Sequence, residues 1–112
     1  MSRIEIRKTF TGGDIEGRSE GEGLFCGMSD PEAGAGYVVS ERVTGQLDGR
    51  QGSFVIQHGG LMGPGLEPRT FGHVVPGSGT AELAGLAGEV EVNRTDEGEH
   101  TLTINYHFTE DL

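Results

Sequence analysis

The feature that most constrains the fold is an alternation of polar and apolar residues with a period of two. In residues 14–22, DIEGRSEGE, every second residue is charged and the residues between them are Ile, Gly or Ser. A strand with all its charges on one side must expose that side to water, because burying them unpaired is costly. The glycine-rich side is therefore predicted to face the protein interior.

The same alternation recurs in segments that are separated by turn sequences. The alternating segments are IEIRKTF, GYVVSERVTGQL, SFVIQH, PRTFGHVV, GEVEVNR and TLTINYHF. The intervening stretches TGGD, SDPEAGAG, LDGRQG, GGLMGPGLEP and DEGE are rich in turn-forming residues. About seven strands joined in this way predict an all-β fold, either a small antiparallel β-barrel or a sandwich, with residues 1–112 as one domain.

Composition limits the partners of such a domain. Only 33% of the residues are hydrophobic and there is no Trp, so subunit association would add burial to a thin core, and we expect a homo-oligomer. The net charge is −10 and the eight Lys and Arg are scattered. This argues against nucleic acid and against anionic membrane surfaces as partners.

Cysteine and histidine usage point to a cytoplasmic protein without a metal or other cofactor. Cys26 is the only cysteine, so the chain cannot form an internal disulfide. The start of the chain lacks the apolar run of a signal peptide, and no stretch has the length of a transmembrane helix. The four histidines show neither HxH nor HExxH spacing, so no metal site is predicted.

Four blocks of the sequence carry a family resemblance: KTFTGGDIEG, ERVTGQLDGRQGSFVIQHGG, VVPGSGTAELAGLAGE and LTINYHF. Together they resemble a bacterial domain-of-unknown-function family whose fold is similar to allene oxide cyclase, a small calycin-like antiparallel β-barrel. The resemblance implies one more strand before RIEIRKTFTG, so we expect an open seam there unless a neighbouring subunit or the N-terminus closes it. It also implies a Trp shortly before Val-Val-Pro, where this chain has Phe71-Gly72-His73, which should enlarge the interior.

The resemblance also explains the glycine-rich segment VVPGSGTAELAGLAG, residues 74–88. In such barrels Pro-Gly-Ser-Gly would turn the chain sharply between two strands. The following residues are expected to form one helical turn, with Thr80 as its cap and Gly85 as its end. Leu83 and Leu86 would then fill apolar space at one end of the barrel.

Two polar residues have the parity of an interior face and are the candidate catalytic residues. Glu41 alternates with Tyr37, Val39 and Val43, and a buried carboxylate needs a partner or a raised pKa. His58 has the parity of the apolar residues before it in SFVIQH, and with Glu41 it would form a pair able to move a proton. The alternatives are a structural Glu41 bonded to Arg, Tyr or backbone, and a His58 that touches solvent at a strand end.

The predicted ligand pocket combines aromatic, apolar and polar residues. Its members are Tyr37, Phe54, Ile56, Arg69, Phe71, His73 and Tyr106. Arg69 and His73 could together bind a carboxylate or an enolate oxygen. The alternative for these two is an ordinary exposed strand of mixed polarity, and Tyr106 is expected to pack with its hydroxyl bonded at a barrel mouth.

The resulting functional hypothesis is a small-molecule-binding β-barrel for an apolar metabolite. By analogy with the fold that the family resembles, it would be an isomerase or cyclase that works by confining its substrate, with Glu41 and His58 handling protons. One alternative is a non-catalytic binding or accessory protein, whose interior polar groups would all satisfy one another. A further alternative is carboxylate-dependent cleavage of peptide bonds, including its own.

Overall fold

The computed structural model describes residues 1–27 and 34–109, and these residues form seven strands in one closed barrel. The strands are β1 (Ser2–Phe10), β2 (Ile15–Gly27), β3 (Ala35–Leu47), β4 (Arg50–Gly63), β5 (Leu66–Val74), β6 (Leu86–Arg94) and β7 (His100–Phe108). Each strand pairs with the next one in antiparallel orientation. The prediction of an all-β antiparallel barrel is confirmed.

The ring closes between β1 and β7, and there the pairing is parallel. An up-and-down ring of seven strands must close this way, because the first and last strands of an odd number run in the same direction. Closure uses the pair Phe10 and His100, with the Thr11 amide donating to the His100 carbonyl at 3.2 Å. The Asp14 amide donates to the Leu102 carbonyl at 3.0 Å. The open seam expected here is therefore corrected to a short closed one at the end of β1.

A second thin seam lies between β5 and β6, which pair through His73 and Glu89. These strands are not joined by a tight hairpin. The connection between them pairs with the start of β4 instead: the Val75 amide donates to the Val55 carbonyl at 2.9 Å, and the Thr80 amide to the Ser53 carbonyl at 2.8 Å. Because the connection is held by β4, β5 and β6 meet over only a short length.

The predicted helical turn is present in this connection as a 3-10 helix, Ala81–Leu83. Thr80 occupies the N-cap position, but its side chain does not cap the helix. Its Oγ1 instead accepts a hydrogen bond from the Ser53 amide at 3.0 Å. Gly85, with φ of +85°, ends the turn. Leu83 and Leu86 are fully buried, as expected for side chains that fill one end of the barrel.

Apolar side chains fill that end of the lumen, which we call the base. The base comprises Phe10, Ile15, Val43, Leu47, Phe54, Ile56, Val74, Leu83, Leu86, Val90, Leu102 and Ile104. The glycine-rich face of β2 also points inward, as predicted, and its glycines let β2 and β3 approach closely. A Cβ on Gly45 would lie 2.7 Å from the Gly17 Cα, where a side chain cannot fit.

Candidate functional site

Above the base, four consecutive strands each direct one polar side chain into the lumen. The four residues, here called the polar cluster, are Lys8 on β1, Ser19 on β2, Glu41 on β3 and His58 on β4. The Glu41 carboxylate is at the centre. Its Oε1 accepts a hydrogen bond from Ser19 Oγ at 2.7 Å, and its Oε2 lies 2.6 Å from His58 Nε2 and 3.1 Å from Lys8 Nζ.

Strand register brings these groups together. Lys8 lies opposite Ser19, and Glu41 lies opposite Gly21, one position further along the same face of β2. Gly21 is required at this point, since a Cβ there would lie 2.8 Å from the Glu41 Cβ and 2.1 Å from the Ser40 carbonyl oxygen. This inward-facing glycine therefore makes room for the buried carboxylate.

Glu41 is held in its ionised form. Burial by itself would raise the pKa of Glu41, but the hydrogen bonds from His58 and Ser19, and the charge and hydrogen bond of Lys8, act in the opposite direction and prevail. The pKa falls from 4.5 to about 2. A carboxylate in this state accepts hydrogen bonds at neutral pH and does not supply a proton. Its role is to bind and orient its neighbours.

His58 connects the polar cluster with the open part of the lumen. Its side chain is 8% exposed, and its Nε2 faces Glu41. The Tyr37 ring packs edge-on against the imidazole, with ring centroids 6.3 Å apart and an interplanar angle of 79°. Within the described residues, the imidazole forms a hydrogen bond only through Nε2, so Nδ1 is left without a partner. A bond from Nε2–H to the carboxylate makes Nδ1 the acceptor nitrogen of the neutral ring.

A cavity of about 500 Å³ opens beside His58, here called the seam pocket because it lies at the seam between β5 and β6. Tyr37, His58 and Val90 line its inner part, while Glu89 and Glu91 lie on its outer rim. Its lining residues come from both faces of the barrel wall, so the pocket passes through the short-paired seam into the lumen. His58 is the one residue of the polar cluster that lines this cavity.

The structure brings only part of the predicted ligand pocket together. Tyr37 and Phe71 line the seam pocket. Phe54 and Ile56, also predicted to belong to the pocket, instead lie in the base with no exposed surface and do not line the seam pocket. They point inward as expected, but Leu83 and its neighbours fill the space in front of them. Inward parity does not distinguish a packed layer from a layer with free volume.

Arg69 and His73 are exposed residues on the outer face of β5, which agrees with the alternative of an ordinary exposed strand of mixed polarity rather than with an anion site inside the barrel. The inner face of β5 is formed by Gly72 and Val74. Phe71 also lies on the outer face, half exposed, where it covers Gly59. A Cβ on Gly72 would lie 2.5 Å from the Val90 carbonyl oxygen, so this small residue is what allows β6 to approach.

The remaining predicted residue, Tyr106, does not line the seam pocket and is not hydrogen-bonded to the polar cluster. Its hydroxyl donates a hydrogen bond to Asp48 Oδ2 at 3.3 Å, and its ring packs edge-on against Phe108. This is the packed position with a bonded hydroxyl that the sequence suggested.

No group of three or more His, Cys, Asp or Glu side chains suited to a metal ion occurs in residues 1–27 and 34–109.

Lys8 and Ser19 were missed by the sequence reasoning, although a signal for both was present. Lys8 shares the parity of Ile4, Ile6 and Phe10, and Ser19 stands alone as a polar residue on the glycine face of β2. A lysine on an apolar face is normally assigned to solvent because burying its charge is costly. Here Glu41, from a strand not adjacent to β1, supplies the compensating charge.

These features define a class: a seven-stranded β-barrel with an apolar base and a Lys–Ser–Glu–His cluster beneath a pocket in its wall. The chain belongs to the family described as "Protein of unknown function (DUF3224)", which it matches over residues 1–106. It is also similar to a crystal structure at 1.84 Å of a DUF3224 protein of unknown function from Shewanella oneidensis MR-1, with 41% identity and a TM-score of 0.83. That match covers 97% of this chain and 78% of the other. A comparison with curated proteins finds no match.

No helix in the described residues is long and apolar enough to cross a membrane. The membership in a bacterial family of unknown function, expected from the sequence blocks, is confirmed.

Proposed function

We propose that the protein binds a small, largely apolar molecule in the seam pocket and moves a proton on it with His58. The observation that carries the proposal is the position of His58. This residue is bonded to an ionised, fully buried carboxylate on one side and lines a cavity of about 500 Å³ on the other. The cavity volume is within the range of pockets that hold small-molecule ligands, roughly 300–1,000 Å³.

The two proposed catalytic residues have different roles in this arrangement. His58 Nδ1 is the proton carrier, because it is the ring nitrogen left for a ligand. Glu41 is a positioning residue: it fixes the ring through Nε2 and stabilises the imidazolium formed when Nδ1 accepts a proton. Lys8 and Ser19 hold the carboxylate in turn.

The reaction class that such a site supports is a cofactor-independent isomerisation or cyclisation. His58 Nδ1 would remove a proton from a carbon next to a carbonyl, and the bond electrons would move into an enolate. The same nitrogen would return the proton to another carbon of the substrate, so that no oxidant or reductant is consumed. The walls around Tyr37, Val90 and Val92 would confine a flexible substrate in a reactive shape.

The test is exchange of carbon-bound hydrogen. A mixture of small ketones and enones is incubated with the protein in D₂O and followed by NMR. Wild-type protein is expected to accelerate deuterium uptake at carbons next to the carbonyl of at least one compound. His58→Gln should lower that rate by about two orders of magnitude, as for loss of a general base.

The matched control is His107→Gln, which changes an exposed histidine on the outer face of β7. It should exchange at the wild-type rate. Equal rates in His58→Gln and wild type would contradict the proposal.

A second candidate is a non-catalytic binding or accessory protein. It is favoured by one observation: among the described residues, every side-chain nitrogen or oxygen atom without exposed surface has a hydrogen-bond partner, and the unbonded Nδ1 of His58 is not one of these fully buried atoms. For a binder, the seam pocket would retain ligand in His58→Gln, and wild type would show no deuterium uptake. Peptide-bond cleavage by paired carboxylates has less support, since the described polar partners of Glu41 include no second carboxylate.

Two further properties belong to this proposal. The protein is proposed to work in the cytoplasm and to form homo-oligomers. The outer face that carries Leu24, Val38 and Phe71, each 45–51% exposed, is an apolar surface that a second copy could cover. Sedimentation velocity of wild type against Val38→Glu tests the oligomer directly.

A further inference from the structure

The seam pocket has a charge pattern that selects among ligands. Two of its lining residues carry charge, Glu89 and Glu91, and both are carboxylates on the rim. Neither forms an ion pair within residues 1–27 and 34–109. The whole chain carries a net charge of −10, so the overall field of the protein also favours a cation over an anion.

Aromatic rings accompany the carboxylates. Tyr37 lines the inner part of the pocket and Phe71 its outer part. The faces of such rings attract organic cations, and ammonium groups are often recognised by a combination of aromatic rings and carboxylates. Val90 and Val92 add apolar surface between the two regions.

His58 adds an acceptor at the inner end. Its side chain is nine-tenths buried, and its Nδ1 has no hydrogen-bond partner among the described residues. An acceptor nitrogen suits a ligand that brings a donor or a positive charge. A carboxylate ligand would meet two like charges on entry and, at Nδ1, a second acceptor.

We infer that the seam pocket takes an apolar organic cation, an amine or quaternary ammonium compound, whose charge is recognised by Glu89 and Glu91. This inference rests on the proposed function, because it specifies the ligand of the same pocket. The rim carboxylates would give the pocket a preference for cations over anions, which its volume alone does not provide.

The experiment compares three compounds of similar shape and different charge. Benzyltrimethylammonium is the cation, neopentylbenzene is its uncharged carbon isostere and phenylacetate is an anion. Each is titrated into ¹⁵N-labelled protein, with amide shifts followed by NMR. The cation should shift amides around Gly72 and Val90 and bind at least about tenfold more tightly than phenylacetate, with an affinity that falls as salt is added.

The variant that tests the rim is Glu89→Gln combined with Glu91→Gln. It should weaken cation binding by about tenfold, as expected for two exposed charge contacts, and leave the neutral compound unaffected. The matched control is Glu5→Gln combined with Glu20→Gln, which makes the same change in net charge on the outer faces of β1 and β2. It should bind the cation as wild type does. Thermal melts of both variants check that they fold.

Equal affinities for all three compounds, or an unchanged cation affinity in the rim variant, would overturn the inference while the pocket remains a binding site. Absence of any shift with the cation at millimolar concentration would overturn it too. The proton-transfer proposal is tested separately by the deuterium exchange of His58→Gln, so failure of one can be told apart from failure of the other.

Discussion

The two ends of the barrel lumen are built from the same strands but differ in character: one is packed with apolar side chains and the other holds buried charged groups. At the base, the inward residues are apolar and packed without exposed surface, as Phe54 and Leu102 are. A few residues along the same strands, the inward positions carry Lys8, Glu41 and His58 and lie next to a pocket. The same alternation of side chains therefore produces a stable core at one level and an ionised site at the next.

This barrel therefore separates stability from chemistry along its axis. The base gains free energy from apolar burial, which is insensitive to pH. The polar cluster gains its free energy from charge pairing, which depends on the protonation of Glu41. Each half should therefore respond to a different perturbation.

The largest effect is expected from the base. Phe54→Ala removes a fully buried ring, and such substitutions cost about 3–5 kcal/mol in the free energy of unfolding. Urea denaturation at neutral pH measures this loss. Phe71→Ala, at a half-exposed ring on the outer face, should cost well under half as much. Similar losses for the two variants would mean that the base is not the main source of stability.

The polar cluster should show a smaller loss with a different signature. Glu41→Leu leaves Lys8 and His58 without their carboxylate, and breaking a buried pair in this way costs about 3 kcal/mol. Adding Lys8→Met to the same protein should recover part of that loss, because the unpaired charge is gone. Denaturation of Glu41→Leu, Lys8→Met and the double variant checks this. If the losses of unfolding free energy in the two single variants simply add up in the double variant, Glu41 and Lys8 do not form a pair.

The pH dependence distinguishes the two halves further. The pKa of Glu41 is lowered from 4.5 to about 2 on folding, so its contribution is present above pH 4.5 and is lost as pH falls toward 2. The contribution amounts to at most about 3 kcal/mol. Stability measured between pH 6 and pH 2 should fall less steeply in Glu41→Gln than in wild type. Phe54→Leu should retain the wild-type slope, since it alters only the base.

The sequence predicted the architecture well because the alternation of polar and apolar residues indicates directly which face of a strand is exposed to solvent. It identified Glu41 and His58 for the same reason, since both are polar residues at inward positions of otherwise apolar runs. It did not identify Lys8: the inward parity of this residue was visible, but the partner that makes its burial possible is 33 residues away along the chain. No local pattern contains that pairing.

The sequence reasoning was wrong where small residues decide the geometry. In PRTFGHVV, Phe71 and His73 share one parity and were predicted to line the ligand pocket, but the inward position belongs to Gly72, since β6 approaches it closely. The seam pocket could not be predicted from the sequence either, because it results from the short pairing of β5 with β6 through His73 and Glu89. The expected extra strand led to an open seam at β1, whereas the ring is closed there.

The smallest expected effect concerns the connection that closes the base and keeps β5 and β6 apart. Thr80 Oγ1 accepts from the Ser53 amide at 3.0 Å and lies 2.8 Å from Ser53 Oγ, which fixes the 3-10 helix against β4. Thr80→Ala should cost about 1 kcal/mol, the usual value for one hydrogen bond, and Thr80→Ser should cost less because the hydroxyl remains. If the two ends of the lumen are independent, ligand binding in the seam pocket will be unchanged in both variants. Weaker binding in Thr80→Ala alone would show that the base also sets the width of the seam, and the separation along the axis would then be incomplete.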